Sequence, residues 1–329
     1  MSAGIKENAP AIATGTRTES ATGGTIGGMN NRNYFPLAPR VLSIAGTDPS
    51  GGAGAQADLK SIFAAGGYGL SVVTSLVAQN TQGVRAVHTP GAEFLTQQLA
   101  AVFEDVDLDA VKIGMLGDLT TTEVVQNWLA NHPVPVLVFD PVMIATSEDR
   151  LLAEDAEAAV RSFAASLSAY ADHAVITPNI PELAILCEQT PAGSFDEAVA
   201  QAQAWSDEHG VNVIVKGGHL NGEEAGNAWV APHSATESAE AHRATVGTSP
   251  LHIASSPRVD SPHTHGTGCS LSSALATRLG GGNSYDAALV WATQWLHGAI
   301  EKAAALRVGH GRGPVDHAYR AREKGAFES

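Results

Sequence analysis

The segment Pro262 to Ala276 reads P-H-T-H-G-T-G-C-S-L-S-S-A-L-A. Two glycines flank a threonine, a cysteine and a serine follow, and small and aliphatic residues then continue with helical character. A glycine-rich turn that opens onto a helix leaves the first backbone N–H groups pointing at one spot, where the helix dipole adds positive potential. That spot favours an anion, and Gly266 and Gly268 let the backbone approach a phosphate that a Cβ would hold off. An ordinary loop with a Ser or Thr cap has the same composition, so the meaning of the segment depends on what else the chain carries.

Other polar residues stand where apolar runs stop. Val41 opens V-L-S-I-A, which ends at G-T-D-P-S-G-G-A-G and gives way to A-Q-A-D-L-K-S-I-F-A-A, a strand, a glycine-rich loop and a helix. The loop has neither the G-x-G-x-x-G spacing nor a Walker Lys-Ser/Thr, so its glycines open space for a ligand in some other way. Asp48 and Asp58 lie beside it, in places where turn and helix-start carboxylates are also common. From Leu70 to Asn80 the run is β-branched and nearly continuous, which predicts one strand buried on both faces and ending at Gln79 and Asn80.

Helical spacing at Leu95, Leu99, Val102 and Phe103 precedes a strand ending at Met115, and a helix over Thr121 to Leu129 precedes a strand ending at Asp140, where Pro141 forces an exit. A helix over Ala153 to Ala171 comes next. The following strand stops at Thr177, and Asn179 and Glu182 open another helix after Pro178. A helix over Phe195 to Glu208 leads to a strand ending at Lys216. Between Asn221 and Arg258 the pattern predicts an antiparallel hairpin at a sheet edge, with a long mobile loop from Pro232 to Thr248. Tyr285 to Leu306 is a long Ala-rich helix whose Trp291 and Trp295, four apart, pack as core. Alternating strands and helices with polar residues at the strand ends describe an open, mostly parallel α/β sheet, whose carboxyl edge is where ligands bind.

Composition fits. The chain of 329 residues is 44% hydrophobic but only 5% aromatic, so its core is built from Ala, Val, Leu and Ile. A net charge of −15 speaks against a nucleic-acid footprint or an anionic membrane surface, though not against a nucleotide held by Mg²⁺, one or two lysines and backbone amides. Sparse cysteines, Cys187 and Cys269, and the lack of a signal sequence or a membrane-length apolar run predict a cytoplasmic protein without disulfides. Residues 1–39, polar and without periodicity, are expected to form a disordered extension, and 40–329 a single domain.

Eight segments in order, A-G-T-D-P-S-G-G-A-G-A-Q-A-D-L-K, V-A-Q-N-T, K-I-G-M-L, D-P-V-M, T-P-N-I-P-E, V-K-G-G-H, H-G-T-G-C-S-L-S-S-A and V-G-H-G-R-G-P-V, make the chain resemble the hydroxymethylpyrimidine and phosphomethylpyrimidine kinases of thiamine synthesis, in the ribokinase-like superfamily. The resemblance runs from about Val41 to about His317 and implies a mostly parallel sheet with helices on both faces. It implies ATP and Mg²⁺ as cofactors, with Thr267 and Gly268 at the phosphates and Gly266, Gly268, Lys216 and Cys269 at the reacting centre. A pyrimidine pocket is implied at Gly46, Ala53, Asp58, Val77, Gln79, Met115, Val142 and Cys269, where the amide of Gln79 suits a ring with an amine beside a ring nitrogen. Lys216, Asn179 and Glu182 are placed near metal and triphosphate, with Asp140 as a further metal or water contact. Relatives imply a homodimer.

Sugar kinases of this fold carry an aspartate as base after the G-x-G turn, where this chain has Cys269. A thiol at a helix N-terminus is expected to have a lowered pKa and to accept a proton. A pyridoxal kinase on the same scaffold is the nearest rival, and a non-catalytic sensor of the vitamin precursor is another. His219, His263 and His265 with Cys269 match none of the common zinc spacings, and a hydrolase built on Cys269 and His265 lacks an evident oxyanion partner.

Overall fold

The computed structural model describes residues 37–143, 156–220, 223–234 and 251–325. The extension expected over 1–39 and the loop expected over 232–248 fall almost wholly outside these residues. The described strands are β1 (Arg40–Ala45), β2 (Tyr68–Val73), β3 (Leu76–Asn80), β4 (Gly83–His88), β5 (Ala110–Ile113), β6 (Val134–Phe139), β7 (Ala171–Ile176), β8 (Asn212–Lys216), β9 (Glu224–Val230) and β10 (Leu251–Pro257). All but β3 and β4 form one sheet in the order β10-β9-β8-β7-β6-β5-β1-β2. Neighbours from β2 across to β8 run parallel, and β9 and β10 close that edge as an antiparallel pair.

The helices are α1 (Gly54–Ala64), α2 (Ala92–Phe103), α3 (Leu119–Asn131), α4 (Ala156–Ala165), α5 (Ile180–Leu186), α6 (Phe195–His209), α7 (Thr267–Gly280), α8 (Tyr285–Glu301) and α9 (Tyr319–Glu323). Successive strand residues point to opposite faces, so a parallel sheet that is apolar throughout must be covered twice. Leu42, Val111, Leu137 and Phe139 pack with α2 to α6, whereas Val41, Ala110, Val136 and Val138 pack with α1, α7 and α8. Trp229 and Trp295 are fully buried on the second side. Trp291 is only half-buried; it stacks on Trp295 and carries the guanidinium groups of Arg278 and Arg320 over its ring.

Two elements depart from expectation. The run from Leu70 to Asn80 is not one buried strand. It breaks at Thr74 and Ser75, where the Thr74 hydroxyl donates to the Met115 carbonyl at 2.7 Å and Ser75 O accepts from Thr47 N–H at 2.8 Å. β3 then leaves the main sheet and pairs antiparallel with β4, a strand not anticipated, while Leu76 and Val87 stay exposed. β-branched residues favour an extended backbone whichever partner it finds, so composition cannot show where a strand changes sheets. The helix expected to reach Ala171 stops at Ala165, and Ser166 Oγ donates back to the carbonyls of Ser162 and Phe163 at its end. A 3₁₀ turn over Leu167–Ala169 follows, and β7 begins at Ala171. Among the described residues no helix is long and apolar enough to cross a membrane.

Candidate active site

The carboxyl ends of β1, β5, β6, β7 and β8 converge with the N-terminus of α7 on one cavity of about 660 Å³. Gly46 follows β1, Met115 follows β5, Asp140 follows β6, Asn179 caps α5 beyond β7, and Lys216 ends β8. All five line the cavity, as do Gly266, Thr267, Gly268 and Cys269.

Helix α7 starts on Gly266, whose φ of 80° lies in the left-handed region that favours glycine. A Cβ there would come within 1.7 Å of the Gly52 carbonyl, so the turn is pressed against the first glycine loop. Among the described contacts α7 has no side-chain cap, which leaves its first turn open to the cavity. A Cβ on Gly268 would sit 3.3 Å from Lys216 Nζ and 3.6 Å from Asp140 Oδ2, which brings backbone amide, ammonium and carboxylate to one place.

The charges there do not balance. Lys216 Nζ lies 2.7 Å from Asp140 Oδ1 and 3.7 Å from Glu182 Oε2. Burial disfavours both charges, but the mutual attraction of Lys216 and Asp140 holds the lysine pKa up and the aspartate pKa down. Thr177 and Ser272 hydroxyls also donate to Asp140. Glu182 is left with the weaker share. Burial, reinforced by the Asp140 charge, pushes its carboxyl up to about 7 against the pull of Lys216. Asn179 and Glu182 meanwhile form a reciprocal capping box at the start of α5, Glu182 N–H donating to Asn179 Oδ1 at 2.9 Å and Asn179 N–H to Glu182 Oε2 at 2.8 Å. The helix cap fixes a carboxylate that faces the ligand space.

The β3–β4 hairpin contributes Val77 and Gln79 to the same cavity, together with the largely apolar set Gly46, Ala53, Met115 and Val142. Val77 N–H donates to Thr47 Oγ1 at 3.1 Å, tying the hairpin to the first loop. Asp48 organises that loop by accepting from the N–H groups of Ser50, Gly52 and Ala53. Burial opposes its ionisation, but the His265 and Ser50 hydrogen bonds outweigh it and hold the carboxyl down to about 2. Cation-bearing polar groups and apolar side chains with one amide thus line the same cavity.

The model of the phosphomethylpyrimidine kinase family matches residues 48–316. The chain belongs to that family. It is 54% identical over 279 residues to the thiamine biosynthesis multifunctional protein ThiED of Corynebacterium efficiens, covering 85% of this chain and 35% of that protein. It is 40% identical over 277 residues to the hydroxymethylpyrimidine/phosphomethylpyrimidine kinase of Escherichia coli, covering 84% of this chain and 96% of that one. The chain therefore spans about a third of the length of the first of these relatives and nearly all of the second. Among solved structures, the pyridoxal kinase of Bacillus subtilis in its ADP complex superposes with a TM-score of 0.72 at 26% identity, covering 87% of this chain and 99% of that one.

Two expectations for this phosphomethylpyrimidine kinase family member need correction. Asp58 does not line the cavity. It is fully buried on α1, where both carboxylate oxygens lie 2.8 Å from Lys112 Nζ and accept from Ser43 and Ser273 hydroxyls. Its place in the sequence beside the loop misleads because α1 turns that position inward. Cys269 lacks the lowered pKa expected of a helix N-terminus: burial pushes its thiol up to about 11, and the Lys112 charge and the Gly54 N–H only partly offset this. Burial thus favours the protonated thiol.

Lys112, which does line the cavity, was not singled out from the sequence. Its signal was a lone lysine inside an apolar strand, where an ammonium must find a carboxylate. His265 was weighed only for zinc or hydrolysis. Its Nε2 instead meets Asp48 Oδ2 at 2.7 Å, and His263 Nδ1 accepts from Gly313 N–H at 3.2 Å. No group of three or more His, Cys, Asp or Glu side chains among the described residues could hold a metal ion.

Proposed function

We propose that the chain transfers the terminal phosphoryl group of ATP to the hydroxymethyl group of 4-amino-5-hydroxymethyl-2-methylpyrimidine, and a second one to the resulting monophosphate. The observation that carries this is the shared cavity: Lys216, the open first turn of α7, Gln79 and the apolar residues Val77, Met115 and Val142 all line it. Membership of the family and the E. coli relative support the substrate class.

Phosphoryl transfer is chiefly alignment and charge stabilisation. The N–H groups of Gly268 and Cys269 and the Lys216 ammonium supply positive potential where charge builds on the phosphoryl oxygens. Asp140 steers the Lys216 ammonium toward Gly268. In a loose transition state the attacking hydroxyl needs little prior deprotonation, so a neutral Cys269 is compatible with transfer. The site fits Mg²⁺, because two buried carboxylates face one ammonium, and burial together with the Asp140 charge raises Glu182. Asp140 and Glu182 would hold the ion with phosphate oxygens, and it would neutralise charge on the triphosphate. The pairing of two copies belongs to this proposal too, and sedimentation velocity checks it.

Purified protein with ATP and Mg²⁺ should convert the pyrimidine alcohol to monophosphate and then diphosphate, followed as separate products with ADP. Binding of the pyrimidine without turnover would point to a sensor instead. The likeness to the B. subtilis protein favours pyridoxal as a second substrate to compare; a higher kcat/KM for pyridoxal would reverse the assignment.

A further inference from the structure

His265 is not used by the transfer chemistry described above, yet it is held in place from several sides. It stands one residue before the α7 cap, with its side chain 12% exposed. Its N–H donates to Gly313 O at 3.2 Å, and its ring lies so close over Gly52 that a Cβ there would fall 2.4 Å from Cδ2. Nε2 lies 2.7 Å from Asp48 Oδ2 and 3.3 Å from Gln79 Nε2, an amide whose nitrogen and oxygen exchange places on a flip. One imidazole nitrogen therefore touches both the carboxylate that organises the first loop and the amide that faces the cavity.

The proton on that nitrogen can be assigned. Asp48 is a carboxylate that accepts from Ser50, Gly52 and Ala53, so it has no hydrogen to give, and Nε2 must donate. A nitrogen that carries a hydrogen offers no lone pair to an amide NH₂. Two N–H donors would then oppose each other across 3.3 Å unless the Gln79 oxygen takes the place facing His265. With the oxygen there, the NH₂ turns into the cavity.

We propose that His265 is a specificity-determining positioning residue: it fixes the Gln79 amide so that the cavity presents a donor rather than an acceptor, selecting a heteroaromatic alcohol with a ring-nitrogen lone pair at that edge. This deepens the functional reading above and rests on it. A histidine that merely braces the first loop against α7 would show the same contacts but not the same dependence on Gln79.

The test compares His265→Ala and Gln79→Met, singly and together, in steady-state assays with the pyrimidine alcohol and ATP, each variant first shown to fold by thermal melting. His265→Ala is expected to raise the pyrimidine KM about tenfold, the equivalent of about 1.4 kcal/mol. In the Gln79→Met background the same change should leave the pyrimidine KM unaltered. Equal rises in both backgrounds would overturn the proposal in favour of a brace. A second measurement needs no variant of His265: in the wild-type protein the Gln79 side-chain NH₂ resonance should shift on adding the pyrimidine and show no strong nuclear Overhauser contact to the His265 ring. A strong contact would overturn the orientation. If the wild type failed to phosphorylate the pyrimidine, the functional reading would fall, and this ring contact would still decide the amide's orientation.

Discussion

Two lysines near the cavity meet buried carboxylates, and their partners differ. Lys112 and Asp58 are one ammonium and one carboxylate, both fully buried, with the remaining lone pairs of Asp58 satisfied by Ser43 and Ser273. Lys216 is 13% exposed and faces two carboxylates, Asp140 and Glu182. The first cluster pairs charge for charge, although Lys112 also lines the cavity and its charge reaches Asp140. The second sets two carboxylates against the one ammonium in contact with them and opens to the ligand space. Electrostatic completeness separates a strut from a site better than burial does, since both clusters are buried.

The sharpest contrast should come from removing each ammonium. Lys216→Met is expected to lower kcat on the order of a thousandfold while leaving a folded protein, measured by ADP release. Lys112→Met should instead cost about 3–5 kcal/mol of stability by stranding Asp58, with much of it recovered in Lys112→Met/Asp58→Asn, measured by urea denaturation. A stable but inactive Lys112→Met would erase the distinction.

Glu182 supplies a smaller test with a defined pH window. Its folded-state value of about 7 lies above the ordinary 4.5, so the native state holds that proton more tightly than the unfolded chain does. The stabilising contribution is full below about pH 4.5, is lost as pH rises, and is gone above about 7. Glu182→Gln cannot ionise and should be more stable than the parent by roughly 1–3 kcal/mol at pH 8, with the difference vanishing near pH 4. Saturating Mg²⁺ and nucleotide should shrink the difference at pH 8, and denaturation with and without them checks this. Equal stability at pH 8 would mean that the second cluster is balanced after all.

The smallest effect is expected at Cys269. Because burial favours its protonated thiol, Cys269→Ala should cost less than about tenfold in kcat, and the same for the alcohol and for the monophosphate. A selective loss on the alcohol would restore the thiol as a base.

Much of this site was legible in the chain. Gly266 announces a close backbone approach, because with its left-handed φ and the Gly52 carbonyl against it only glycine fits there. Lys216, Asn179 and Asp140 stand at strand ends, where a parallel sheet exposes its carboxyl edge. Asp58 misled because its partner Lys112 lies 54 residues away, and nothing local reveals the pairing. The break at Thr74 and Ser75 was hidden for a similar reason, since the Met115 carbonyl and the Thr47 amide that satisfy it come from the segments after β5 and β1.

What the sequence determined alone was the alternation of strands and helices outside the β3–β4 hairpin, the glycine turn before α7 and the set of polar residues at strand ends, because periodicity, turn chemistry and capping are properties of neighbouring residues. Tertiary structure decided which carboxylate meets which lysine, that β3 leaves the main sheet for β4, and that burial, rather than the helix end, sets the state of Cys269. Those outcomes depend on desolvation and on charges brought close by folding, which fall off with distance in space and not along the chain.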